Sequence, residues 1–359
     1  MGAYDGSENL SPVNYTLFAS KLMIKDQDLI MVDYVTTVIK HARDEWHIPV
    51  TTIDPFNEPR FGWHPVKEGQ EGNRWAANSQ RDFIPILKSA LQEQDLADHV
   101  KISVSDDYSV FEALDTLNEL GGPIANTFKA NVHGYPRMTG PSYAPESFTE
   151  SWNSKVVEYE SRIRKTIPTL WMSETGGYGF GNEGICDFGY DVMRHLNLLR
   201  ADAWIYWQVM DKVPQWGLFI TSTRYPWWFS KWNYRPVPTV NFYTMKQFSG
   251  HIRPGYRILK HSRSDVVDYC HVCMVAAISD MDATVVIVLL NNMSRTLNHT
   301  VDISSVKEVR HGRTQVRAFR TCAWSNDNYT EISSTIVLRN NGQMVLPLFA
   351  FSIATIEIF

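Results

Sequence analysis

The chain has 359 residues, 44% apolar and 20% charged, with 34 basic against 39 acidic side chains and a formal net charge of −5. Length and apolar content imply about two domains with a sizeable core and exclude a disordered or collagen-like chain. No apolar run reaches the ~18 residues of a membrane-spanning helix, and the acidic balance disfavours a nucleic-acid partner.

Residues 1–19 read as a polar loop, in which Ser11-Pro12 has the form of a helix cap followed by proline at the first helical position. Residues 33–46 predict an amphipathic helix with Tyr34, Val35, Val38, Ile39, Ala42 and Trp46 on one stripe. Residues 50–53 predict a short buried strand ending at Asp54-Pro55-Phe56-Asn57-Glu58-Pro59. The pattern then repeats: helix 76–93, strand 99–105, helix 109–119, a strand within 124–133, helix 148–165, strand 168–173, helix 186–200, strand 201–208 and helix 240–248. Strand alternating with helix predicts parallel strands and right-handed crossovers. From about residue 252 the helical period is gone. Residues 283–290, 334–338, 344–349 and 352–358 read as strands separated by turns such as Asn340-Asn341-Gly342, which predicts a β-sandwich. Two domains follow, an α/β barrel-type domain over 1–251 and an all-β sandwich over 252–359.

Twelve Trp, 16 Tyr and 17 Phe imply either a large aromatic core or a cleft that stacks on sugar faces. Cys270 and Cys273 have metal-ligand spacing, but no second pair matches them among the four cysteines. One disulfide and two buried thiols is therefore preferred to zinc. Five sequons, at Asn9, Asn14, Asn292, Asn298 and Asn328, lean towards a secreted, glycosylated chain. The start of the chain shows no leader pattern of its own.

Catalytic groups of a parallel α/β barrel sit at the C-terminal ends of its strands. Those ends carry Asn57-Glu58, Ser105-Asp106-Asp107, His133-Gly134-Tyr135, Ser173-Glu174-Thr175-Gly176-Gly177 and Tyr206-Trp207-Gln208. Two strand-end glutamates among aromatics suit a retaining glycosidase, with one carboxylic acid protonating the leaving oxygen and one carboxylate attacking the anomeric carbon. Asn57 would hydrogen-bond the sugar 2-hydroxyl, His133 and Tyr135 would orient the nucleophile, and Trp207 would form a stacking floor. Such chemistry implies no metal and no organic cofactor.

Asn57-Glu58-Pro59 and, three strands later, Trp171-Met172-Ser173-Glu174-Thr175-Gly176 resemble the clan A glycoside hydrolases. More narrowly, Asp54 to Pro59 with Trp63 and Gln70-Glu71-Gly72, Asn131 to Tyr135, and Tyr206-Trp207-Gln208 resemble the fungal endo-β-1,6-galactanases of glycoside hydrolase family 30. The resemblance implies a (β/α)8 TIM-type barrel with a β-sandwich at its side. It implies Glu58 as acid/base and Glu174 as nucleophile, with Asn57, Trp63, His133, Tyr135, Trp207 and Gln208 lining the substrate site. It further implies a secreted, monomeric enzyme whose partner is a polysaccharide or oligosaccharide. Other β-glycans (β-1,6-glucan, xylan, a glucosylceramide) remain open as substrates, as does an inactive carbohydrate-binding fragment.

The chain departs from that pattern in three places. Asn73 stands where a cysteine often stands. Only 57 residues precede Glu58, so the recognisable strands correspond to barrel strands four to eight and the N-terminal part of the barrel is missing by this count. Residues 20–32 read as an insertion, since removing them joins Phe18-Ala19 to Asp33 in one helical stripe.

Overall fold

The alternating signals resolve into a parallel sheet. The computed structural model describes residues 25–61, 74–135, 146–179, 181–221, 236–261, 272–304, 306, 315–323, 327–339 and 342–359. Strands β1 (Thr52–Ile53), β2 (Lys101–Asp107), β3 (Lys129–His133), β4 (Thr169–Gly176) and β5 (Ala203–Trp207) are hydrogen-bonded in chain order. Their pairing is parallel, with Ile53 opposite Ile102, Val104 opposite Ala130 and Ala130 opposite Leu170. Helix α1 (Lys25–Asp44) precedes β1, while α2 (Ala77–Glu93), α3 (Val110–Leu120), α4 (Glu146–Ile163), α5 (Gly181–Arg194) and α6 (Val240–Ser249) fall between and after these strands. The sheet is the five-stranded portion of a TIM-type barrel that the sequence predicts.

The chain forms two compact units. The first holds residues 1–136, 155–174 and 201–205; the second holds 137–154, 175–200 and 206–359. In the first, the core gathers Val32 and Ile39 of α1, Phe83, Ile84, Leu87 and Leu91 of α2, and Ile102 and Val104 of β2, with Phe56 and Trp75 beside them. Phe83 is 1% exposed and stacks edge-on against both Phe56 and Trp75. Truncation at Phe83 leaves a cavity that these rings cannot fill. Phe83→Ala should therefore lose about 3–5 kcal/mol of stability, read as a lower urea midpoint at unchanged slope.

The buried stripe of α1 differs from the predicted one. Tyr34, Val38 and Trp46 are exposed, while Val32, Thr36, Ile39 and Ala42 are buried. Thr36 tolerates burial because its hydroxyl donates to the Val32 carbonyl at 2.9 Å. Residues 25–32, within the stretch read as an insertion, form the first turns of α1. Helix α3 starts at Ser109, whose hydroxyl accepts from the Glu112 amide, and stops at Gly121 in the left-handed conformation, φ 71°.

The second unit contains the sandwich. Short strands β6 (Met210–Asp211), β7 (Phe219–Ile220) and β8 (Val237–Pro238) form a small sheet. After them come β9 (Tyr256–Leu259), β10 (Val272–Ser279), β11 (Val285–Asn291), β12 (Leu297–Asp302), β13 (Val316–Cys322), β14 (Asp327–Glu331), β15 (Val337–Leu338), β16 (Gln343–Leu348) and β17 (Ser352–Ile358). One antiparallel sheet runs β14-β13-β17-β11-β10-β9 and another β12-β16-β15. Their facing side chains share one apolar core, including Ile287, Leu289, Ile356, Met344 and Leu346. Every residue of β11 is buried, as expected of a strand covered on both faces. On its outer face lies Gly189 of α5, where an added methyl would touch Leu290 and Ile353 at 3.4 Å.

Cys273 is disulfide-bonded and Cys186 and Cys322 are free and buried; Cys270 lies outside the described residues. This excludes Cys273 as a thiolate ligand and agrees with the preference for a disulfide over zinc. Among the described sequons, Asn298 and Asn328 are exposed on β12 and β14, whereas Asn292 is buried. Asn9 and Asn14 lie outside the described residues. No described helix is long and apolar enough to cross a membrane.

Candidate active site

Three backbone hydrogen bonds tie the C-terminal ends of β1 to β4 together. The Glu58 amide donates to the Asp106 carbonyl at 2.8 Å, the Tyr135 amide to the Tyr108 carbonyl at 3.2 Å, and the Gly134 amide to the Glu174 carbonyl at 2.8 Å. These links fix where each following side chain points.

Local sequence shapes each end. Asp54 accepts from the Phe56 amide at 3.3 Å, an Asx turn, and from Asn131 Nδ2 at 2.8 Å. Phe56 is anchored in the core, and the chain then turns through Glu58 at φ 46°. That left-handed conformation is uncommon for a non-glycine residue, and such residues concentrate at functional sites. Asp106 has φ 57° and lies where the β2–β3 register shifts between Ser105 and Asp107. Ser173 lies at the matching shift between β3 and β4, where Val132 faces Met172 but His133 faces Glu174. Bulges of this kind re-aim side chains at the end of a ladder.

The result is one buried imidazole among three carboxylates. His133, 1% exposed, has Nδ1 at 2.8 Å from Glu58 Oε1 and 3.8 Å from Glu174 Oε1. Its Nε2 is 3.2 Å from Asp106 Oδ1. Tyr135 donates its hydroxyl to Glu174 Oε1 at 3.3 Å. Donor atoms of Glu58, His133 and Glu174 all lie within 4.8 Å of one another.

Burial alone would push the His133 ring down. Its pairing with the Asp106 and Glu58 carboxylates, and the charge of Glu174, outweigh that and raise it to about 10. The Glu174 carboxyl is raised, first by desolvation and then by Glu58 and Asp106, against the opposing pull of His133 and the Tyr135 hydroxyl. The Tyr135 hydroxyl is raised by burial and by both glutamates, so it stays a donor. Aromatic rings flank the group: Tyr135 stacks on Tyr108 at 5.3 Å, and Tyr108 meets Phe61 at 5.0 Å.

The sequence expectation that His133 orients Glu174 is refined, since its nearer partner is Glu58. Asn57 is exposed beside Glu58. Trp63 and the segment 70–73 lie outside the described residues. Trp207 and Gln208 belong to the second unit. There Trp207 is 48% exposed, and the Gln208 side chain donates to Asp211 Oδ2 at 2.9 Å. Gly176 is needed because a methyl there would stand 2.0 Å from the Trp207 carbonyl oxygen. Gly177 has φ 76° and lies against the Trp216 ring. Asp106, Tyr108 and Ser173 sit at the site although no role was expected of them; Asp106 and Ser173 were marked only by position at a strand end, and Tyr108 by nothing.

The neighbouring Asp107 is 0% exposed and serves a different purpose. It accepts from the Ser105 hydroxyl, and from Thr116 at 3.1 Å on α3. Burial outweighs these bonds and Arg60, raising its carboxyl to about 6. The folded state thus holds the proton more tightly than the unfolded state, whose value is near 3.9. The stabilisation is complete below pH ~4 and is lost as pH rises through 6. Asp107→Asn should remove this decline. Chemical denaturation at pH 4 and pH 7 should show the variant gaining roughly 2 kcal/mol on the parent across that interval.

The model of O-glycosyl hydrolase family 30 matches residues 11–211. The chain belongs to O-glycosyl hydrolase family 30. An endo-β-1,6-galactanase of Hypocrea rufa is 23% identical over 331 residues, spanning 90% of this chain. The chain spans 60% of that relative's length. Solved structures share the fold, two family 30 xylanases among them. The catalytic domain of GH30 xylanase C from Talaromyces cellulolyticus superposes with a TM-score of 0.67 at 16% identity, covering 93% of this chain and 67% of the other. A family 30 subfamily 8 xylanase from Clostridium acetobutylicum gives 0.66 at 18% identity, covering 93% and 72%.

Proposed function

We propose that this chain carries a retaining β-glycosidase site acting on the β-1,6-galactan side chains of arabinogalactan, with Glu174 as nucleophile and Glu58 as acid/base. The observation that carries the reading is the separation of the two carboxylates. Donor oxygens within 4.8 Å fit the roughly 5–5.5 Å of retaining enzymes, whereas an inverting water needs about 6.5–9.5 Å. In the first step Glu174 attacks the anomeric carbon while Glu58 gives its proton to the leaving oxygen. In the second, Glu58 takes a proton from water, which attacks the same carbon and releases Glu174. Tyr135 donates to the nucleophile, and Asn57, Trp63, Trp207 and Gln208 are proposed to bind sugar.

The galactan assignment is supported by the Hypocrea rufa relative, which aligns over 90% of this chain. We propose that residues 1–251 form the catalytic part and residues 252–359 a supporting sandwich. An extracellular setting is supported by the disulfide at Cys273 and by exposed sequons at Asn298 and Asn328.

The test is product release from debranched β-1,6-galactan, with β-1,6-glucan and xylan as rivals, and proton NMR of the first anomer formed. Galactan cleavage with retained β configuration is expected. Initial α product would overturn the retaining mechanism, preferential xylan cleavage would overturn the substrate, and silence on all three polymers would overturn the hydrolase reading for this chain.

A further inference from the structure

Asp106 reaches Glu58 by two routes. Its carbonyl accepts the Glu58 amide at 2.8 Å. Its carboxylate Oδ1 lies 3.2 Å from His133 Nε2, an ion-pair contact outside hydrogen-bond geometry, while the other ring nitrogen is hydrogen-bonded to Glu58 Oε1 at 2.8 Å. Asp106 is itself held firmly. The Ser173 hydroxyl donates to its Oδ1 at 2.5 Å, and its left-handed backbone at the β2 bulge sets its direction. An imidazole with a carboxylate oxygen at each nitrogen is best satisfied when both nitrogens carry hydrogen. A neutral ring would turn a lone pair towards one of the two acids.

Building on the hydrolase reading, we propose that Asp106 is a positioning residue of this site: it holds His133 as the imidazolium whose Nδ1–H fixes the Glu58 carboxyl. The charge-assisted bond occupies Oε1 as an acceptor. The proton destined for the leaving oxygen then sits on Oε2, which gives the acid one orientation rather than two. When Glu58 releases that proton, the carboxylate it becomes already faces a cation. The same cation lies 3.8 Å from Glu174, so loss of its charge would be felt by both glutamates. The other titratable groups around the ring are Tyr108 and Tyr135, which follow β2 and β3. Asp54 and Lys129 act on Asp106 from β1 and β3. A ring raised to about 10 is protonated at pH 8.

The test uses the full chain with nitrogen-15-labelled histidine, and His133→Gln to assign the signal. At pH 8 the His133 ring of the parent should show two protonated nitrogens, and in Asp106→Asn it should be neutral. At pH 7, Asp106→Asn should lower kcat on galactan about a hundredfold with KM changed little, and its pH profile should gain an ionisation that the parent lacks. The double variant Asp106→Asn/His133→Gln should be no worse than His133→Gln alone. A neutral His133 in the parent would overturn the proposal without any variant. So would a ring still doubly protonated in Asp106→Asn, or losses that add in the double variant. The resonance assay reads the Asp106–His133 link even if no polymer is cleaved, so failure of the hydrolase reading is separately visible.

Discussion

Glu174→Gln is expected to abolish hydrolysis of β-1,6-galactan, lowering kcat by about ten-thousandfold or more. The amide keeps the shape of the carboxylate and its contact with the Tyr135 hydroxyl, which lies 3.3 Å from Oε1. It loses the charge that, in the proposed mechanism, attacks and then bears the sugar. Because shape is kept, binding should survive, and the loss should fall on kcat rather than KM. The parent chain supplies a second readout. Burial and the Glu58 charge raise the Glu174 carboxyl above its ordinary 4.5. A nucleophile must be ionised, so activity should fall away on the acid side at a pH above 4.5 rather than below it. A rate-against-pH series from pH 3 to 8 checks this. Wild-type activity in Glu174→Gln would remove Glu174 from the reaction. A profile flat down to pH 4 would show that the field described around it is wrong.

Most of the parallel sheet was legible because each strand is a short apolar run between clear helical periods. The carboxylates and His133 and Tyr135 were legible because the strand-end rule turns a one-dimensional position into a shared location. Asp106 and Asp107 show where that rule stops. Neighbouring residues in a strand normally point to opposite faces, so the sequence alone gives no choice between two aspartates. The bulge decides it, sending Asp106 to His133 and Asp107 to Ser105 and Thr116. A bulge is a departure from period two and leaves little trace in composition. The α1 stripe failed for a related reason. Thr36 reads as polar, yet it is buried by bonding its own helix, so the stripe is centred one residue away from the apolar count. Strands β6 to β8 are two residues each, too short to show any period. The texture of β-sandwich was legible after residue 252, but β9, β10, β12, β13 and β14 were not singled out.

Glu58→Gln should divide substrates by their leaving groups. Galactan leaves as a sugar alkoxide and needs the proton, so its kcat should fall about a hundred- to ten-thousandfold. An aryl β-galactoside with an acidic phenol needs little protonation. Its first step should proceed near the parent rate, and the slow second step should then appear as a burst of phenol followed by a lower steady rate. Glu58→Ala takes the argument further. It opens a space lined by His133, whose Nδ1 was 2.8 Å from the missing carboxylate and which remains flanked by Asp106 on its other nitrogen. A small anion is drawn to such a cation. Azide should enter, attack the glycosyl-enzyme from the face that Glu58 served, and restore the steady rate on the aryl substrate while giving the β-glycosyl azide. In a variant lacking Glu174 the same anion would attack from the opposite face and give the α-azide. The configuration of one product therefore assigns each glutamate to its side of the sugar. A β-azide from the Glu174 variant would exchange the two roles.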